Sequence, residues 1–157
     1  MKNNLILSFL IIFCFQNLAL SQGFNFQGGN IEILDNGNQI NANRGTAFSS
    51  DYNFEITSDR FEYFKDVDVL KSIGNGIAII QSKKLEIKYD NAIFDQKNST
   101  FEAIGNVEIF QVYESFVIKN NKIIYDQNNN IISSDDTTKI EDKFGNIYFI
   151  LLYQEFF

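Results

Sequence analysis

Three observations predict an all-β fold of antiparallel strands: a repeat of 31 residues, apolar alternation with a period of two inside each copy, and short polar runs between the alternating stretches. One copy, GNGIAIIQSKKLEIKYDNAIFDQKNSTFEA, starts at Gly74; a second, GNVEIFQVYESFVIKNNKIIYDQNNNIISS, starts at Gly105. The offset puts Leu85 and Ile87 on Phe116 and Ile118, Phe94-Asp95 on Tyr125-Asp126, and Phe101 on Ile132. Carried backwards it aligns Phe54, Ile56, Tyr63 and Leu70 with Leu85, Ile87, Phe94 and Phe101; carried forwards it aligns Ile147 and Phe149 with Phe116 and Ile118. A fixed period of this length marks a repeat architecture in which each unit buries its apolar face against its neighbours.

Within a unit, Leu85, Ile87 and Tyr89 alternate with Glu86 and Lys88, and Val107 and Ile109 alternate with Glu108 and Phe110. That is the pattern of half-buried strands, whose side chains point to opposite faces in turn. Asp95-Gln96-Lys97-Asn98 and Asp126 to Asn130 are rich in residues that tolerate tight turns. The spacing predicts about three short strands per unit. No i, i+3, i+4 apolar stripe survives across these turns, so helices are not expected.

Taken in order, Lys2, the apolar run Leu5 to Phe15 and the small residues of Ala19-Leu20-Ser21 read as a secretory leader over residues 1–21, with Gln22 as the mature start and 22–157 as one β-domain. The apolar run is shorter than the ~20 residues a membrane span needs. Phe13 before Cys14 is too bulky for a lipoprotein site. Gln22 to Gly29 reads as a polar lead-in carrying Phe24 and Phe26, followed by a strand Asn30 to Leu34 and a hairpin turn at Asp35-Asn36-Gly37-Asn38, where Asn and Gly supply positive φ. Gln39 to Asn43 pairs back. Gly45 to Phe48 and Tyr52 to Thr57 form the next hairpin around Ser49-Ser50-Asp51, and Asp59 to Phe64 is a strand with Phe61 and Tyr63 on one face. Lys65 to Asp68 links into Val69 to Ile73, where the repeats begin. After Ser134, Asp135-Asp136-Thr137 turns into Thr138 to Glu141, and Lys143-Phe144-Gly145-Asn146 leads into Ile147 to Leu152. From Ile147 onward the chain is almost wholly apolar or aromatic, and an unpaired strand of that kind is an aggregation hazard. It is expected to be an internal strand whose partner lies beyond a truncated C-terminus, or else to dock on another protein.

Loss of the leader removes Cys14, the only cysteine, so the mature domain has no disulfide or thiol chemistry despite an oxidising compartment. The formal net charge is −7, one unit more negative without Lys2, and no basic cluster is present, which argues against nucleic acid. The chain has no His, which excludes His-based triads and zinc sites. Asp135-Asp136 sits where a turn needs polar residues; solvation is the favoured reading and calcium ligation the alternative. The Asn98-Ser99-Thr100 sequon reads as a turn, and Gly74-Asn75-Gly76 and Gly105-Asn106 precede strands rather than helices, so they are not phosphate loops. No cofactor, metal or enzymatic activity is expected.

Ala103-Ile104-Gly105-Asn106-Val107-Glu108-Ile109, followed by Phe116-Val117-Ile118-Lys119-Asn120-Asn121-Lys122-Ile123-Ile124-Tyr125-Asp126, resembles the repeated motif of the OstA-like family. Ile56-Thr57-Ser58-Asp59-Arg60-Phe61-Glu62-Tyr63 matches its second half more closely still. The likeness covers roughly Gly29 to Phe149; it departs at Asn120-Asn121, where the family has Ala or Ser followed by Asp. That family comprises the periplasmic lipopolysaccharide transport protein LptA and the N-terminal periplasmic domain of the outer-membrane assembly protein LptD, and the abrupt ending favours a truncated LptD. The resemblance implies a twisted, half-open β-jellyroll in the periplasm or at the periplasmic face of the outer membrane. It implies lipopolysaccharide as partner, its lipid A acyl chains held on the apolar inner face, and edge-to-edge strand pairing with other OstA-like domains.

The groove-lining residues expected on that basis are the inward columns Phe54, Ile56, Leu85, Ile87, Phe116 and Ile118, with Val107, Ile109, Phe94 and Tyr125. Each of these positions would also suit a closed, packed sandwich. The competing functional reading is a non-enzymatic structural or adhesive β-repeat protein of the cell envelope that binds protein rather than lipid.

Overall fold

The computed structural model describes residues 23–49, 53–111, 116–134 and 136–150. Ten strands form one antiparallel sheet: β1 (Asn25–Leu34), β2 (Gln39–Ser49), β3 (Phe54–Phe64), β4 (Val69–Ile80), β5 (Leu85–Asp95), β6 (Thr100–Gln111), β7 (Phe116–Asp126), β8 (Ile131–Ser133), β9 (Thr138–Asp142) and β10 (Ile147–Ile150). The order follows the chain from β1 to β7 and continues through β9 to β10, while β8 shares the far edge of β7 with β9. The sheet is open, β1 and β10 being its ends. The expected leader, the tip at residues 50–52, residues 112–115, Asp135 and the segment from Leu151 lie outside the described residues.

Each 31-residue repeat is two long strands, β4 with β5 or β6 with β7, rather than the three short ones the spacing suggested. The difference arises at Gly74-Asn75 and Gly105-Asn106, which are bulges inside continuous strands and not strand starts. Both residues of each pair are left-handed, with φ of +81° and +47° in β4 and +80° and +46° in β6. Glycine and asparagine are the residues that enter this region at least cost. The Asn of each bulge donates from its side-chain amide to an Asp on the preceding strand, Asn75 to Asp59 at 2.7 Å and Asn106 to Asp90 at 2.8 Å. A Cβ at Gly74 would lie 2.9 Å from that Asp59 carboxylate, so the clamp and the glycine require each other. The next position in the series is Asn121, and the residue it would meet is Thr137, so no bulge asparagine remains for an Asp there to hold. The departure at Asn120-Asn121 therefore falls where the clamp is no longer used. Asn120 instead bonds Ser134 at 2.7 Å and Thr138 at 2.9 Å, tying down the point where β8 and β9 part.

The bulges crease the sheet. Phe54 lies in a cross-strand row with Ile80, Leu85 and Gln111, whereas Phe94 and Phe101 lie in a row with Tyr63, Leu70, Tyr125 and Ile132. Those rows are nine residues apart along β3, about 30 Å in a flat strand. Yet the Phe54 ring is 5.0 Å from both Phe94 and Phe101. The upper half of the sheet, before the bulge in β3, has thus folded face to face onto the lower half, and one sheet supplies both walls of its own core. Inward residues change phase at the crease of β3, where Asp59 and Arg60 are both exposed between buried Ser58 and buried Phe61.

The lower turns use one device. In Asp95 to Asn98 and in Asp126 to Asn129 the carboxylate accepts both the backbone N–H and the side-chain amide of the Asn. These bonds hold the Asp126 carboxyl below its ordinary range, the backbone N–H of Asn129 contributing most. Asn98 of the sequon is thereby part of a turn. The polar lead-in expected before Asn30 is strand from Asn25 onward, its glycines marking the crease of β1. The outward faces carry cross-strand ion pairs such as Lys119–Glu108 and Lys122–Glu102, the solvated side that alternation demands.

Candidate functional site

Two inward rows run the width of the molecule. The upper one is Phe26–Ala47–Ile56–Ala78–Ile87–Ile109–Ile118–Ile140–Tyr148, each residue the direct partner of the next. The lower one is Ile33–Ile40–Tyr63–Leu70–Phe94–Phe101–Tyr125–Ile132. Every member is apolar or a tyrosine. Large and small residues alternate along the upper row from Phe26 to Ile87, which leaves room there for the aromatic rings of the lower half.

The sequence-derived residues all belong to this interior. Phe54, Ile56, Leu85, Ile87, Val107, Ile109, Phe116 and Ile118 stand in the upper half, and Phe94 and Tyr125 in the lower. Nine of the ten are at most 3% exposed and form part of the continuous core. Phe116 alone is half-buried, packed against its margin. In this structure these side chains touch other side chains, the packed arrangement that the same alternation also suits, because the crease brings the facing wall down onto them.

The inner face does reach solvent at two corners the sequence reading did not single out. The two halves are skewed. Phe24, at the start of the upper β1, packs against Tyr63 of β3 and Phe94 of β5, at 5.6 and 5.5 Å. Phe54 of β3 packs over β5 and β6. The upper β1 edge thus sits above β3 to β5, leaving the lower β1 uncovered. There Ile31 and Ile33, on the same face as buried Ala42 and Tyr63, are 44% and 68% exposed. At the opposite corner the upper row runs out past Ile118 to half-buried Ile140 and to Tyr148, 52% exposed. The signal for these corners lay in the same alternation; what the sequence lacks is the skew.

Polar groups inside the sandwich are few, and Ser49 Oγ is buried there with no hydrogen-bond partner among the described residues. Tyr63 donates to Asp68 or Gln96 near the lower turns, and burial, with the Asp68 charge behind it, pushes its phenol up to about 12. Tyr89 shares a 3.0 Å hydrogen bond with Ser72, and burial raises its phenol too, the Ser72 bond offsetting a little. Burial likewise raises Tyr125. All three stay neutral near pH 7. Among the described residues no group of His, Cys, Asp or Glu is placed to hold a metal ion, and no helix is long and apolar enough to cross a membrane. What this arrangement can do is offer continuous uncharged surface.

No family model matches the chain, and no curated protein sequence matches it. Among solved structures it is similar to LptH of Pseudomonas aeruginosa, described as the LptA-homologous periplasmic component of the conserved lipopolysaccharide transport device. The TM-score is 0.63 at 12% identity, covering 83% of this chain and 96% of that one. An identity this low speaks for the fold alone: the chain is an all-β, LptA-like jellyroll of creased antiparallel strands.

Proposed function

We propose that this domain is a periplasmic lipopolysaccharide-carrying module that works by shielding acyl chains from water and catalyses nothing. The observation that carries the reading is the course of the two inward rows, which leave the core without a polar break and emerge at Ile33, beside exposed Ile31, and at Ile140 and Tyr148. Each methylene that leaves water for such a surface contributes about 0.8 kcal/mol. A few acyl carbons at either corner therefore outweigh any single hydrogen bond the site lacks. The jellyroll fold shared with LptH and the secretory leader read over residues 1–21 support the same assignment.

The open edges support the expected partners. Among the described residues β1 and β10 each present one side without a backbone partner, and such edges accept a strand from a neighbouring sheet. A second OstA-like jellyroll added there would continue the inward rows into its own, giving a path along which lipid passes by exchange between equivalent surfaces.

The test is site-specific photocrosslinking in cells making lipopolysaccharide, with a benzophenone side chain at Ile33 or Tyr148 and a control at outward Lys71. Crosslinks to lipopolysaccharide at the first two positions and none at the third support the carrier. Absence of crosslinks at all three, with protein adducts at Ile33 instead, would favour the adhesive module.

A further inference from the structure

We propose that the first strand carries its own plug: the rings of Phe24 and Phe26 occupy the place of a linear alkyl chain, and the Asn25–Gly28 half of β1 moves aside to admit one. The proposal rests on the carrier reading and specifies how its site opens. Phe24 is buried and Phe26 half-buried, and between them they cover Phe61, Tyr63 and Phe94 at ring distances of 5.5 to 6.0 Å. They sit at the seam between the exposed corner, Ile31 and Ile33, and the sealed aromatic interior. Remove them and the corner runs without interruption onto Tyr63 and Phe94.

The segment that bears Phe26 and follows Phe24 is an edge wall of the sandwich, secured from one side. Among the described residues Asn25 to Gly28 pairs only with Gly45 to Phe48 on β2 and has no strand on its other side. Gly28 and Gly29 follow immediately, at the crease, and across from them Gly45 lies so near Gln27 that a Cβ there would be 2.1 Å from its carbonyl oxygen. Two consecutive glycines give the backbone more freedom there than any other pair of residues would. The lower half of β1, Asn30 to Leu34, keeps its separate pairing with Gln39 to Asn43 and need not move. Facing sheets stand ~10 Å apart, so what the departing rings leave is a slot one side chain thick. The Tyr63 hydroxyl at its wall already donates to Asp68 or Gln96. A slot of that depth, walled mainly by the rings of Phe61, Tyr63 and Phe94, suits an alkyl chain better than a headgroup or a peptide backbone.

A reversible lock tests this. In a Cys14→Ser background, Gln27→Cys and Thr46→Cys place thiols on directly opposed strand residues, whose Cα separation falls within disulfide range. Dansyl-labelled undecanoic acid serves as the probe, read by its fluorescence. The reduced protein is expected to bind it as the unmutated chain does. The oxidised protein should bind about tenfold more weakly or worse, with recovery on adding reductant. A second variant, Phe24→Ala with Phe26→Ala, is expected to take up the probe faster and at least as tightly. Equal binding by the oxidised and reduced forms overturns the plug while leaving the carrier intact. No binding by the unmutated chain overturns both.

Discussion

Replacing a single inward isoleucine by aspartate should have opposite consequences at the two places the inner face occupies. Ile87 is fully buried, and its cross-strand partners Ala78 and Ile109 offer no donor. Ile87→Asp removes a packed side chain, worth about 2–5 kcal/mol, and adds an unpaired polar or charged group costing further kcal/mol. Against a typical stability of about 5–15 kcal/mol this leaves little or nothing. Ile33 is 68% exposed, so Ile33→Asp should change folding stability by about 1 kcal/mol or less. Its effect belongs to ligand binding: an alkyl chain covering that side chain gains about 1–2 kcal/mol, so the affinity should fall about 5- to 30-fold. Urea unfolding followed by far-ultraviolet circular dichroism gives the first quantity, and titration with dansyl undecanoate gives the second. An Ile87→Asp protein with an unchanged unfolding midpoint would refute the closed core. Unweakened probe binding by folded Ile33→Asp would refute the use of the exposed corner.

Three other outcomes follow from the same geometry. Gly76→Ala puts a Cβ 1.9 Å from the Tyr89 ring, which cannot swing away because it packs on Phe101 and bonds Ser72. A loss of about 1–3 kcal/mol in urea unfolding is expected, partly restored by Tyr89→Leu. Asn106→Ala and Asp90→Ala should each destabilise by about 1 kcal/mol, and a double-mutant cycle should return a coupling of about 0.5–1 kcal/mol if the clamp is one unit. The third concerns alkali: Tyr63 titrates near 12 when folded against an ordinary value of 10.0. The folded state therefore holds its proton longer than the unfolded state does. Stability is fully present below pH 10 and declines as pH rises from 10 towards 12. Tyr63→Phe should shift the alkaline midpoint of thermal unfolding upward, whereas an unmoved midpoint assigns the decline to other groups.

The fold was legible because two independent signals agree, the period of two within strands and the period of 31 between them. Tyr63, Phe94 and Tyr125 are spaced by the repeat and fall in one row, interleaved with Leu70, Phe101 and Ile132, which are spaced by it too. What misled was Gly-Asn. In a one-dimensional reading glycine beside asparagine punctuates, and a bulge in mid-strand uses the same residues for the same left-handed φ. The inward columns were legible as inward. Their closure was not, because whether a creased sheet touches itself depends on the fold angle at each bulge and not on the alternation of any strand. Ile31, Ile33 and Tyr148 carry the same pattern as Ile87, and only the skew separates exposed from sealed.

The bulge that shapes the fold also makes the exposed corners. A flat sheet of these strands would leave one apolar face wholly bare, which a protein in water tolerates poorly. Creasing the long strands at one height lets that face cover itself, and the Asp–Asn clamps, Asp59 to Asn75 and Asp90 to Asn106, fix the height from strand to strand. Twist prevents the halves from lying in register, since adjacent strands rotate by roughly 20–25° and the rotation accumulates across the sheet. The upper half therefore slides past the lower, uncovering one end of each. Adding strands would not seal these ends, because any further strand inherits the same offset. Only another domain with the same crease, added at an edge, could cover a corner and leave a new one at its own far side.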